Sequence, residues 1–196
     1  YMACNTITLG IDPACAATSK KGGLNKRIYI TDKANVTAYT IDGTSKKITG
    51  ITMVASTYLY KFISKDNMRN SYKSSLVPGE NANMWNHVLD AVLYADTQLE
   101  YNAINALCNA NEILAIVQRN SGEFMILGLD TELGNPAEPE GGLKAASAEI
   151  TSGIQINDDT SIKVSLAGQV SHPPTRCFFA ATQTLEIAYL DALLAP

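Results

Sequence analysis

Residues 112–130 read Glu-Ile-Leu-Ala-Ile-Val-Gln-Arg-Asn-Ser-Gly-Glu-Phe-Met-Ile-Leu-Gly-Leu-Asp. Two runs rich in β-branched and aromatic residues, 112–119 and 123–130, flank Asn120-Ser121-Gly122. Runs of this length split by a short Gly-containing loop predict a β-hairpin. Gly122 can supply the positive φ that such a loop needs. Both arms are apolar on both faces, so the pair belongs inside a sheet and not at an exposed edge.

Upstream of the hairpin lies a helix, predicted from about Gln98 to Ala110. Thr97 followed three residues later by Glu100 makes a capping box, in which each side chain satisfies the other's backbone N–H. Leu99, Ala103, Leu107 and Ala110 recur at helical spacing, and Ile104 widens the face. Before the helix, residues 84–95 alternate Trp85, His87, Leu89, Ala91 and Leu93, with Val88 and Val92 in the gaps. A strand buried on both faces reads this way, though the run is also compatible with a helix. Residues 27–31, 35–42, 47–55 and 57–64 are further strands, the last with Tyr58, Tyr60 and Phe62 on one face. Residues 65–83 are polar, hold Pro78-Gly79 and read as a long connection, with a frayed strand at most at 69–73. Connections of that length are uncommon in compact domains unless they have a job.

Downstream, 131–146 is a Pro/Gly/Glu loop, and 148–156 with 161–170 forms a second hairpin around Asn157-Asp158-Asp159-Thr160. Leu185, Tyr189 and Leu193 give the tail a partly helical pattern. The fold class expected is mainly β with α: a sandwich or barrel of antiparallel strands with one flanking helix at about 98–110. The organisation expected is an N-terminal arm over 1–26, a β domain over 27–175 and a C-terminal extension over 176–196.

Composition narrows the function. The chain has 196 residues, 46% hydrophobic and only 17% charged, with a formal net charge of −4. That hydrophobic content suits a folded core and argues against disorder. The sparse charge suits a surface partly covered by other protein. No Lys/Arg stripe marks a phosphate-gripping groove; Lys20-Lys21 and Lys46-Lys47 are isolated pairs. Cys4, Cys15, Cys108 and Cys177 match no zinc spacing and read as reduced thiols. No apolar run reaches the roughly 18–20 residues of a membrane span. No nucleophile elbow, P-loop, dinucleotide fingerprint or zincin motif occurs, and His87 and His172 are the only histidines. Asp158 and Asp159 lack the spacing of a calcium loop and read as turn formers. No enzyme activity and no cofactor is expected.

The order of elements carries a resemblance. An arm leading to Gly22-Gly23-Leu24 and a strand at 27–31 comes first. A strand around Trp85 running into the capped helix follows. Then come a hairpin returning through Phe124-Met125-Ile126-Leu127-Gly128 and a segment from Thr151-Ser152-Gly153 through 161–168. This order resembles bacteriophage tail tube proteins, in particular a type found in phages of Bacteroidetes. It covers most of the chain, and the tail 176–196 departs from the family pattern.

The resemblance implies a structural virion protein that is related to the type VI secretion tube fold. Subunits of this kind form stacked six-fold rings around a conduit for genome ejection. The implied partners are further copies of the chain and other phage tail proteins; DNA passes without specific binding, and no membrane insertion is implied. The implied location is the virion tail, assembled in the bacterial host cytoplasm. Lys65, Asp66, Arg69, Tyr72, Pro78 and Glu80 are then candidates for contact between rings. Glu132, Glu138, Glu140, Asp158 and Asp159 are candidate acids of the lumen or of loops. A neck or tail-hub ring protein, or a secretion-tube homologue, is the nearest alternative. A carbohydrate-binding β-sandwich presenting Tyr58, Tyr60 or Tyr72 is the alternative from another class.

Overall fold

The computed structural model describes residues 23–64, 70–79, 83–129, 141–151 and 161–195. In chain order the strands begin with β1 (Leu24–Asp32), β2 (Val36–Ile41), β3 (Ile48–Met53) and β4 (Tyr60–Ile63). Next come β5 (Ser71–Val77), β6 (Met84–Leu93) and helix α1 (Gln98–Asn109). The chain continues through β7 (Ile113–Arg119), β8 (Phe124–Leu127), β9 (Lys144–Thr151), β10 (Ser161–Val170) and β11 (Thr175–Cys177) to helix α2 (Gln183–Asp191).

The strands form two sheets. The larger has the order β2-β3-β11-β8-β7-β1-β4, the smaller β5-β6-β10-β9. Both are open, so the sandwich is present and a closed barrel is not. Among the described residues the named strands all pair antiparallel except β11 with β3, which meet in parallel at Cys177 and Ile48.

The predicted hairpin sits near the centre of the larger sheet, paired from Ala115 with Leu127 to Gln118 with Phe124. Gly122 has φ +94°, and its N–H donates to the Arg119 carbonyl at 2.8 Å. Just past the return strand, Gly128 has φ +83°. A Cβ there would stand 2.6 Å from the Ile113 carbonyl oxygen, so the close approach of the two arms requires glycine.

The period-two rule explains why this hairpin is apolar throughout. Ile113, Ala115 and Val117 face one core, together with Leu89, Ala91 and Leu93 of β6 and Ile162, Val164 and Leu166 of β10. Ile104 and Leu107 of α1 close the end of that core. Leu114 and Ile116 face a second core with Phe124, Ile126, Tyr29 and Ile48. Leu190 of α2 seals it, with Phe179, Ile187, Tyr189, Leu193 and Leu194 packed around. The larger sheet is thus the middle of three layers.

Several expectations need correction. Among the described residues there are two α-helices, not one. The second apolar face of the hairpin is covered by the chain's own tail, which had no assigned place in the fold. Residues 65–83 are not one connection: β5 runs through them, paired with β6 from Ser71 with Asp90 to Val77 with Met84. The 84–95 run forms strand β6 over Met84–Leu93. In α1 the capping box is present, but the buried residues are Ile104 and Leu107, and Leu99 is 79% exposed. Tyr60 is also exposed, so the aromatic face of β4 is only partly core.

Polar groups join the parts. Asn70, 1% exposed, accepts the Val92 N–H of β6 at 3.0 Å through Oδ1. Its backbone carbonyl accepts the Leu24 N–H of β1 at 3.2 Å, so one residue ties the two sheets together. The Lys33 ammonium, in the short turn between β1 and β2, donates to the Gly141 carbonyl at 2.9 Å.

Candidate assembly surfaces

The smaller sheet divides its residues by face. His87, Leu89, Ala91 and Leu93 of β6 and Ile162, Val164, Leu166 and Val170 of β10 point inward and are buried. The intervening positions point away from the core. They place Lys73, Asp90, Lys144, Glu149 and Lys163 among Ser71, Ser75, Asn86, Ser147, Ser165 and Gln169. Across the sheet Lys163 stands opposite Glu149, and Ser165 donates to the Asp90 carboxylate at 2.7 Å. The result is a broad face of mixed sign, polar except where half-buried Met84, Val88, Val92 and Ala167 interrupt it.

The edges of this sheet are unpaired among the described residues. On β9 most residues are exposed, and Ile150 is 63% exposed although it lies opposite Ile162, which is buried. On β5, Leu76 and Val77 are exposed. Unpaired strands with apolar side chains are templates for further pairing. The larger sheet ends in β4, where Tyr60 and Ile63 are exposed. Beside it an apolar groove of about 350 Å³ runs between the sheet and α1, lined by Ile30, Tyr60, Phe62, Ala103, Ala106 and Ala110 among others.

A second, more polar cleft of about 370 Å³ lies at the tip of the central hairpin. There Glu123 pairs with Arg176 and, at 3.4 Å, with Arg119. The Lys47 ammonium sits 5.6 Å from the centre of the Phe178 ring. Glu186, in the first turns of α2, is 7% exposed and accepts the Phe179 N–H at 3.2 Å. Burial pushes its carboxyl above the ordinary range, against the pull of that hydrogen bond. Burial likewise pushes the neighbouring Cys177 thiol far up, with the Glu186 charge adding to the effect. A thiol held protonated is a poor nucleophile.

His87 is enclosed in the first core at 1% exposure, where its Nδ1 accepts the Gly128 N–H at 3.3 Å. His172 lies apart from it, in the bend after β10. Among the described residues no group of three His, Cys, Asp or Glu is placed to hold a metal ion. No described helix is long and apolar enough to cross a membrane.

Of the candidates for contact between rings or for the lumen, Tyr72 and Pro78 are described. Tyr72 belongs to β5 and turns inward, its hydroxyl 3.2 Å from the Met125 sulfur. Pro78 is exposed just past the end of β5. Lys65, Asp66, Arg69, Glu80, Glu132, Glu138, Glu140, Asp158 and Asp159 lie outside the described residues. Sequence reasoning missed the polar face and the exposed β9. Its available signal was the alternation Lys163, Ser165, Ala167, Gln169 against Ile162, Val164, Leu166.

Comparison with family models, with curated proteins and with solved structures finds no match to this chain.

Proposed function

We propose that the chain is a structural subunit that assembles edge to edge with copies of itself, and specifically a tail tube subunit of a bacteriophage. The observation that carries the reading is the smaller sheet: two unpaired edges, β5 and β9, bear apolar side chains, and a polar face of mixed sign lies between them. Head-to-tail contacts between unlike edges close into rings when the rotation per subunit allows. Such pairing removes the edges that would otherwise recruit stray strands. A ring face on which Lys73, Lys144 and Lys163 are largely offset by Asp90 and Glu149 amid serines offers little net cationic grip on phosphate, so a polyanion passes without being held. The stacked six-fold ring, the genome conduit and the virion location come from the family resemblance and belong to the same proposal.

The carbohydrate-binding alternative loses ground on one of its aromatics. Tyr72 directs its hydroxyl at Met125 inside the sandwich, where no sugar ring can stack on it.

Sizing and negative-stain imaging of the purified chain test the proposal. Rings or tubes are expected as concentration rises. A species that stays monomeric at every concentration would overturn it.

A further inference from the structure

The C-terminal segment covers the middle layer without belonging to it. β7 and β8, which it lies against, are held by backbone ladders on both sides. The segment after Cys177 is held by scattered ties. The Phe178 N–H donates to the Ile48 carbonyl at 2.8 Å. The Tyr189 hydroxyl accepts the Ile51 N–H at 2.8 Å and donates to the Ile51 carbonyl at 3.1 Å. Asp191 accepts from the Tyr29 hydroxyl at 3.0 Å and from the Lys61 ammonium at 2.9 Å. The Leu59 N–H donates to the Leu193 carbonyl at 2.9 Å, beside a single parallel bridge from Leu59 to Leu194.

The remaining attachment is apolar: Leu190, Ile187 and Leu193 rest on a seat that includes Tyr29, Ile51 and Ile116. α2 has nine residues, too short to hold its shape in water alone. Its helical shape therefore depends on the seat.

We infer that residues 178–195 form a strap that opens as one unit while both sheets stay folded, and that the opened strap docks on the same seat of a second copy. An opened strap leaves behind an apolar face with two polar markers, the Tyr29 hydroxyl and the Lys61 ammonium. Asp191 and the apolar side of α2 complement that face, and the surface that matches them elsewhere is the identical seat on another molecule. Exchange of one element between identical seats creates no new contact chemistry, and it links copies at little cost. The inference does not depend on ring geometry or on a viral origin.

Hydrogen exchange on the unaltered chain reads the opening. Amides of 186–191 are expected to exchange together, on the order of 100-fold or more faster than those of 114–117. Equal protection in both regions would overturn the strap. A cross-link reads the exchange. Leu59→Cys and Leu194→Cys variants, prepared separately and incubated together under mild oxidation, are expected to give a disulfide-linked dimer. The bond should map by mass spectrometry to positions 59 and 194, and neither variant alone should form it. No such bond after long incubation at high concentration would overturn the docking on a second copy.

Discussion

The two hairpins differ in what lies against them. β7–β8 has a core on each face: Ala115 and Val117 meet β6 and β10, while Leu114 and Ile116 meet the tail. β9–β10 has a core on one face only, and β9 reaches it through Ala145. β10 buries Ile162, Val164 and Leu166, but its partner β9 leaves Ile150 in the open directly opposite Ile162. The first hairpin is a scaffold whose contacts are complete within the chain. The second is half finished, and its outer strand has both an open edge and an apolar ledge. Stability and assembly should therefore separate: changes in β7–β8 should alter folding, and changes in β9 should alter association.

The hardest test of that separation is Leu114→Ala. The side chain is 1% exposed beneath the tail, and its loss should cost about 2–5 kcal/mol, read as a fall in denaturant midpoint. A cost near zero would mean the second core is not formed. Gly122→Val comes next. A β-branched residue resists φ +94°, and about 1–3 kcal/mol should be lost in thermal melts. An unchanged melt would remove the turn that defines the hairpin.

Glu186→Gln should act in the opposite direction and more weakly. Its carboxyl is raised by burial, so the neutral form is the one the fold prefers. A group raised in this way contributes stability that is complete below its unfolded value and is lost as pH rises through its folded value. The glutamine variant should therefore melt higher than the parent at neutral pH. The gap should close on acidification toward about pH 4. A gap that widens in acid would reverse the assignment. Smallest of all is Ile150→Ala, expected to move stability by no more than about 0.5 kcal/mol because the side chain is already exposed. The same variant should weaken concentration-dependent association seen by sizing; unaltered association would take β9 out of the interface.

Much of the scaffold was legible because its signals are local. The unbroken apolar runs of β7 and β8, the alternation of β10, the Gly122 loop and the Thr97–Glu100 box each need only neighbours in sequence to be read. β5 was illegible for the converse reason. Its polar serines and lysine give a pattern no different from a loop, and only pairing with β6 makes it a strand. Leu99 misled because helical spacing marks a stripe without saying how wide a neighbour covers it. The tail reads as partly helical in sequence, yet its seat is made of distant residues, of which Tyr29 and Ile51 lie more than a hundred positions away. The polar face was missed because a face exists only once four strands are in register.

The Tyr189 hydroxyl also has a bearing on β3 itself. β2 and β3 carry two register shifts, so their ladder alone pins alignment loosely. A strand residue turns its N–H and C=O toward the same edge, and its neighbour turns both toward the other. One phenol that meets both groups of Ile51 can do so in one alignment only. A slip by a single residue would present it with a side of the backbone that has nothing to offer. The last helix of the chain thus acts as a gauge for a strand folded long before it in sequence, accepting the correct setting and giving no grip to its nearest error.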